Sequence, residues 1–331
     1  DEEFQWRLKG ESYMSIMERG GGIQSTVNAT RSASPESLKE KTSEFLRRMS
    51  AMGVTTVEAK SGYGLELESE SKMLDVINDL AHEEDPFIRI VPTFMGAHAV
   101  PKEYKGDIDG YVRVIIDEML PAVKDKALFF DIFTEKNVFE IEESRRLLKA
   151  AREAGFRLKL HADEIVSLGG AELAAEMGAV SADHLLHVSD AGIRAMAEKG
   201  VVATLLPLTA FALKEPYAPA RKFIDGGAAV ALATDLNPGS CFSGSIPLTI
   251  ALACIYMEMD IREVVTALTL NGAAACGIAD STGSIEAGKS GDLVLLDFDS
   301  YTALPYYVGM NCVKTTIYKG VVVNENVALP A

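Results

Sequence analysis

Leu158-Lys159-Leu160-His161-Ala162-Asp163-Glu164 is the stretch whose reading decides the fold. An apolar run climbs to a histidine and a carboxylate follows three residues later, the pattern of a buried strand that delivers polar groups to the mouth of a barrel. Two later stretches repeat it, Ala179-Val180-Ser181-Ala182-Asp183-His184 and Ala229-Val230-Ala231-Leu232-Ala233-Thr234-Asp235. Each sets a candidate metal ligand at the end of a strand-like run.

Outward from these, strand-like and helical runs alternate. Strands are expected at 54–59, 88–94, 128–133, 156–161, 179–184, 201–205 and 229–234, with helices at 66–81, 108–123, 138–154, 169–177, 189–199 and 216–225 between and after them. Upstream, a short helix is expected over 6–19, Gly20-Gly21-Gly22 reads as a turn, and Ser34-Pro35 opens a helix reaching Met52, with serine as N-cap and proline at the first helical position. Helices at 245–258 and 261–270 close the alternating region. The alternation implies parallel strands joined by right-handed crossovers, and the mostly apolar strands suit a sheet covered on both faces. Seven such strands are one short of a (β/α)8 barrel. The fold class is therefore α/β, a TIM-like barrel whose first strand is expected ahead of Asp1. The rival, an open doubly wound sheet, is opposed by the lack of G-x-G-x-x-G after the first strand and by polar residues at many strand ends. Beyond Thr282 the chain becomes turn-rich, with short strands at 292–297, 312–318 and 321–324. A barrel domain at 1–281 and a small β domain at 282–331 follow.

At 331 residues and 48% hydrophobic, the chain can bury a large core. A formal charge of −16 without any basic block argues against a nucleic-acid partner. No apolar run approaches the ~18 to 20 residues of a membrane helix, and the acidic start is no signal peptide. Four cysteines without C-x-x-C read as reduced thiols of a cytoplasmic protein.

Of five histidines, His98, His161 and His184 fall at strand C-terminal ends, where barrel active sites are built. His82 belongs to a polar loop, and His187 reads as local structure. Asp235 follows a strand of small apolar residues, where a carboxylate is costly to bury unless paired or metal-bound; capping the next segment is the competing role. Imidazole with carboxylate suits Zn²⁺ or Fe²⁺, and such an ion lowers the pKa of water toward ~7. Hydrolysis of a small-molecule substrate follows. The nucleophilic alternatives are weaker: there is no G-x-S-x-G, and only Cys241 could serve as a thiolate.

Six motifs make the sequence similar to the amidohydrolase superfamily, and within it to members that open an imidazolone ring. They are Gly20-Gly21-Gly22-Ile23 with Thr26-Val27, Glu58-Ala59-Lys60-Ser61-Gly62-Tyr63-Gly64-Leu65, Gly96-Ala97-His98, Leu160-His161-Ala162-Asp163-Glu164, Ser181-Ala182-Asp183-His184-Leu185 and Thr234-Asp235-Leu236-Asn237-Pro238-Gly239. The resemblance implies a TIM-like barrel with a small β-sandwich, one Zn²⁺ or Fe ion per subunit, a homodimer, and hydrolysis of a cyclic amide by metal-activated water. By motif, His161 and Asp235 would hold the metal. Glu164 would bond the ring nitrogen and transfer a proton, His184 would orient the water, and Asp235 would shuttle its proton. Tyr63, His98, Asn237, Gly239, Ser240 and Tyr13 would contact substrate. The resemblance also implies an H-x-H pair and a following Arg, which this sequence lacks and which are expected ahead of Asp1. A site left with two ligands is expected to hold metal weakly. A related deaminase, a dihydropyrimidinase-like hydrolase and a catalytically silent barrel are the competing readings.

Overall fold

A computed structural model describes residues 2–10 and 22–327. Helix α1 (Glu2–Leu8) and helix α2 (Ile23–Ser32) precede α3 (Pro35–Ala51), which begins as its sequence requires: Ser34 accepts a hydrogen bond from the Ser37 amide and Pro35 fills the first helical position. Tyr13, Gly20 and Gly21 lie outside the described residues.

The alternation then unfolds as expected, through β1 (Thr56–Lys60), α4 (Leu67–Ala81), β2 (Arg89–Ala97) and a long helical segment opened by α5 (Ile108–Val114). That segment widens into a π turn at Ile115–Met119 before α6 (Leu120–Val123). Pro121 has no amide hydrogen to give and its ring crowds the preceding turn, so the regular ladder cannot pass through it. Next come β3 (Phe129–Thr134), α7 (Ile141–Glu153), β4 (Arg157–Ala162), α8 (Gly170–Glu176), β5 (Ser181–His184), α9 (Asp190–Lys199) and β6 (Val202–Leu205). Two helices, α10 (Pro207–Leu213) and α11 (Ala220–Asp225), lead to β7 (Val230–Leu232). Pro216 and Pro219 explain why α11 starts later than its apolar pattern suggests. Helices α12 (Ile246–Tyr256), α13 (Ile261–Leu268) and α14 (Leu270–Ala275) complete the barrel region. The short helices α10 and α14 were not legible in the pattern, being a turn or two of mostly apolar residues.

All seven strands pair in parallel in the order β1 to β7, forming a curled sheet with helices packed outside it. Among the described residues no strand joins β7 back to β1. Phe94, Phe130, Leu147, Leu160, Met196 and Phe223 are among the fully buried residues of the core. A separate antiparallel sheet is built from β8 (Leu293–Leu296), β9 (Val313–Tyr318) and β10 (Val321–Glu325). It docks on the end of α3, where Thr316 Oγ1 donates to the Ser50 carbonyl and Asn311 and Asn326 both donate to that of Ala51.

Candidate active site at the strand ends

Period-two alternation puts one set of side chains from every strand inside the sheet. On β1 that set includes Glu58 and Lys60, on β4 Lys159 and His161, on β3 Asp131, and on β5 Asp183. The register brings them level: Asp131 pairs with Lys159, and His161 with Asp183. A charged layer results. Lys60 Nζ donates to Asp131 Oδ2 and, at 2.9 Å, to Asp183 Oδ2, and lies 3.4 Å from Glu58. Lys159 Nζ donates to Glu58 Oε2 at 2.8 Å. His161 Nδ1 reaches Asp131 at 3.2 Å. Burial opposes the charge on Lys60, yet Asp131, Asp183 and Glu58 together hold its pKa well above the ordinary lysine value. Burial likewise works against imidazolium at His161, but the charge of Asp131 and its hydrogen bond outweigh it and raise the pKa to about 9. Three carboxylates thus face two ammonium groups and an imidazolium, and the layer is close to neutral.

Above this layer lie the groups singled out in the sequence. The His184 ring is 5.0 Å from that of His161, centroid to centroid, and its Nε2 is 3.4 Å from Glu164 Oε2. Glu135 fixes the turn after Glu164 by accepting from the Ile165 amide at 2.8 Å. His98 donates from Nδ1 to the Gly62 carbonyl at 3.0 Å, and its ring lies 6.2 Å from His161 and 5.0 Å, edge-on, from Tyr63. Burial first, and then the charge on His161, push the His98 pKa down to about 4, so this ring is neutral. Asp235 Oδ2 accepts from Thr209 Oγ1 at 2.6 Å, and its carbonyl accepts from Asn237 Nδ2. Asn237 Oδ1 in turn accepts the amides of Gly239 and Ser240, which closes the turn after β7. Asp163, His184 and Asp235 all take positive φ, of 49°, 74° and 49°. Non-glycine residues held in this conformation at three strand ends are characteristic of sites where geometry is imposed.

The strand-end residues named from sequence therefore converge: Glu164, His184, His161, His98 and Tyr63 form one contiguous cluster. Asn237, Gly239 and Ser240 are tied to one another in the loop that Asp235 opens. Missing from the sequence reading were Lys60, Asp131, Asp183 and the loop-holding Glu70. For Lys60, Asp131 and Asp183 the signal was present as charged residues at the inward parity of strands, whereas Glu70 lies in helix α4. Cys241 is buried, and burial pushes its thiol pKa up, which disfavours a thiolate nucleophile. All four cysteines are free thiols.

For a metal ion the donor set fits. Asp131 takes Nδ1 of His161 and leaves Nε2 as the ring's other donor atom, an arrangement typical of metal-ligating histidine. The Nδ1 atom of His184 is buried without a hydrogen-bond partner among the described residues. Imidazole with the Asp235 carboxylate suits a borderline divalent ion. Potential ligand atoms of Asp131, His161 and Asp183 also lie within 4.8 Å of one another, with Asp235 outside that group.

Comparison with known proteins matches residues 7–324 to the profile of the amidohydrolase family. The chain is 66% identical over 327 residues to the imidazolonepropionase of Bacteroides thetaiotaomicron, a match covering 98% of this chain and 78% of that protein. It is 58% identical to the Porphyromonas gingivalis imidazolonepropionase, over 98% of this chain and 77% of the relative, and 57% identical to that of Clostridium tetani, over 97% and 77%. In fold it is similar to 5-methylcytosine deaminase of Klebsiella pneumoniae (TM-score 0.76, 16% identity, 95% of this chain and 82% of that one). It is also similar to a zinc-bound adenosine deaminase of Xanthomonas campestris (TM-score 0.71, 19% identity, 94% and 74%).

Proposed function

The chain belongs to the amidohydrolase family and, within it, to the imidazolonepropionases, and from that premise we propose how the ends of β4, β5 and β7 divide the work of the reaction. The reaction is hydrolysis of 4-imidazolone-5-propanoate: water adds to the ring carbonyl carbon, the adjoining C–N bond breaks, and N-formimidoyl-L-glutamate leaves. The observation that carries it is 66% identity over 98% of the chain.

His161 and Asp235 are the residues that would hold the metal, as Zn²⁺ or Fe²⁺. A bound ion of this kind supplies Lewis acidity, which lowers the pKa of a water toward about 7. The remaining work falls to side chains. His184 orients the attacking water and polarises the ring carbonyl. Glu164, 3.4 Å from His184 Nε2, hydrogen-bonds the ring nitrogen, gives it a proton as the C–N bond breaks, and is reprotonated by the proton that Asp235 takes from the water. Asp235 accepts the proton that the water gives up. Neutral His98, held by Gly62, presents Nε2 to the substrate beside Tyr63, while Asn237, Gly239 and Ser240 offer polar groups from the loop after β7. Tyr13 completes the proposed contacts from outside the described residues.

Metal-loaded protein incubated with imidazolone propanoate tests the assignment. Loss of ring absorbance with equimolar N-formimidoyl-glutamate is expected. Protein that takes up metal yet leaves the ring intact would refute the substrate, whereas turnover without any metal would refute the role of the ion.

A further inference from the structure

Asp131 and Asp183 stand close enough to His161 to look like its fellow ligands, yet a cation already sits on them. Lys60 Nζ is hydrogen-bonded to both carboxylates. Asp131 is fully buried, and both of its oxygens are engaged: Oδ2 by Lys60, Oδ1 by the Ile132 amide at 2.7 Å, with His161 Nδ1 3.2 Å from each. A dication placed between Asp131 and Asp183 would have to stand against an ammonium group fixed on the same oxygens. The three residues come from β1, β3 and β5, so none can withdraw without disturbing a strand.

We propose that Lys60 and Asp131 are positioning residues for His161: Lys60 is the built-in cation of the acidic pair, and Asp131, so neutralised, holds Nδ1 of His161 and turns Nε2 toward the metal. Asp183 then serves Lys60, and neither carboxylate is a ligand. The proposal rests on the metal reading given above. Its physical content is that a histidine whose Nδ1–H is fixed on a carboxylate has one tautomer, one ring orientation and a more basic Nε2.

Co²⁺ titration of the full chain, followed by visible absorption and by competition with a chelator, separates the two roles. Asp131→Asn is expected to weaken Co²⁺ binding by about 10 to 100-fold and to shift the ligand-field bands. Asp183→Asn, which weakens a hydrogen bond to Lys60 and breaks none to His161, is expected to leave affinity within about threefold and the spectrum unchanged. Should Asp131→Asn not fold by circular dichroism, Asp131→Glu replaces it, and the same contrast with Asp183→Asn decides. Equal losses at both positions would make the aspartates direct ligands and overturn the proposal, as would unaltered binding in the Asp131 variant. Absence of Co²⁺ uptake by the unmodified chain would remove the metal reading and this proposal together. Uptake that is indifferent to Asp131 removes only the proposal.

Discussion

Asp163 and Glu164 are adjacent acids with opposite tasks. Glu164 faces His184, whereas Asp163 turns to the start of α8 and accepts four backbone amides, those of Leu168, Gly169 and Gly170 on Oδ1 and that of Ala171 on Oδ2. Glu164→Gln removes a transferable proton without changing shape, so kcat is expected to fall by about 10² to 10⁴-fold while metal content and melting temperature stay unchanged. Steady-state kinetics beside a thermal melt checks this, and an unchanged kcat would assign the proton to another group. Asp163→Ala strands the amides it served, and a loss of at least about 2 kcal/mol is expected in urea unfolding. The motif resemblance assigned the chemistry to Glu164, but spacing alone could not tell the two acids apart: both sit at a strand end, and which one turns away goes with the positive φ of Asp163, which no spacing rule reveals.

At the scale of elements, the loop after β1 shows what holds a substrate-facing segment still. The fully buried Glu70, in the first turn of α4, accepts the amides of Gly62, Gly64 and Leu65 at 2.8 to 2.9 Å, and Arg31 from α2 donates to the Gly64 carbonyl at 2.8 Å. Neither glycine leaves room for a side chain: a Cβ on Gly62, whose φ is +110°, would lie 2.9 Å from the Met95 carbonyl, and one on Gly64 2.7 Å from the Glu70 amide. Glu70→Gln turns an acceptor into a donor facing donors. The loop carrying Tyr63 should loosen, raising KM about tenfold with little change in kcat, and amide exchange should quicken at Gly62, Gly64 and Leu65 first. Strand order and strand ends were legible because alternation of apolar runs with amphipathic helices is a local signal. The partners of Lys60 and Asp131 were not, because they are set by which strands become neighbours, and that is a property of the curled sheet as a whole.

Across the whole molecule, one carboxylate joins the small sheet to the barrel. Asp292 accepts from Arg89 of β2 at 2.7 Å and from Thr282 at 2.9 Å on Oδ2, and from Ser290 and the Lys319 amide on Oδ1. Burial alone would raise its pKa, but these donors together hold it below the ordinary aspartate range. A depressed folded-state pKa contributes stability above the unfolded value near 4 and loses it as pH falls through the folded one. Asp292→Asn should therefore cost about 2 kcal/mol at pH 7, with the gap to the parent narrowing as unfolding is measured below about pH 4. A gap independent of pH would show that packing, and not charge, fastens the sheet. The charged layer inside the barrel bears on how the molecule assembles. Strands β3, β4 and β5 each carry an ion, Asp131, Lys159 and Asp183, whose counter-ion lies on another strand, and in each case β1 supplies it through Lys60 or Glu58. Drying β3, β4 or β5 without β1 would leave a buried ion without its counter-ion, at a cost of several kcal/mol. Intermediates with part of the sheet formed are thereby penalised, and these four strands are expected to come apart as one cooperative unit, with the outer helices free to fray before them.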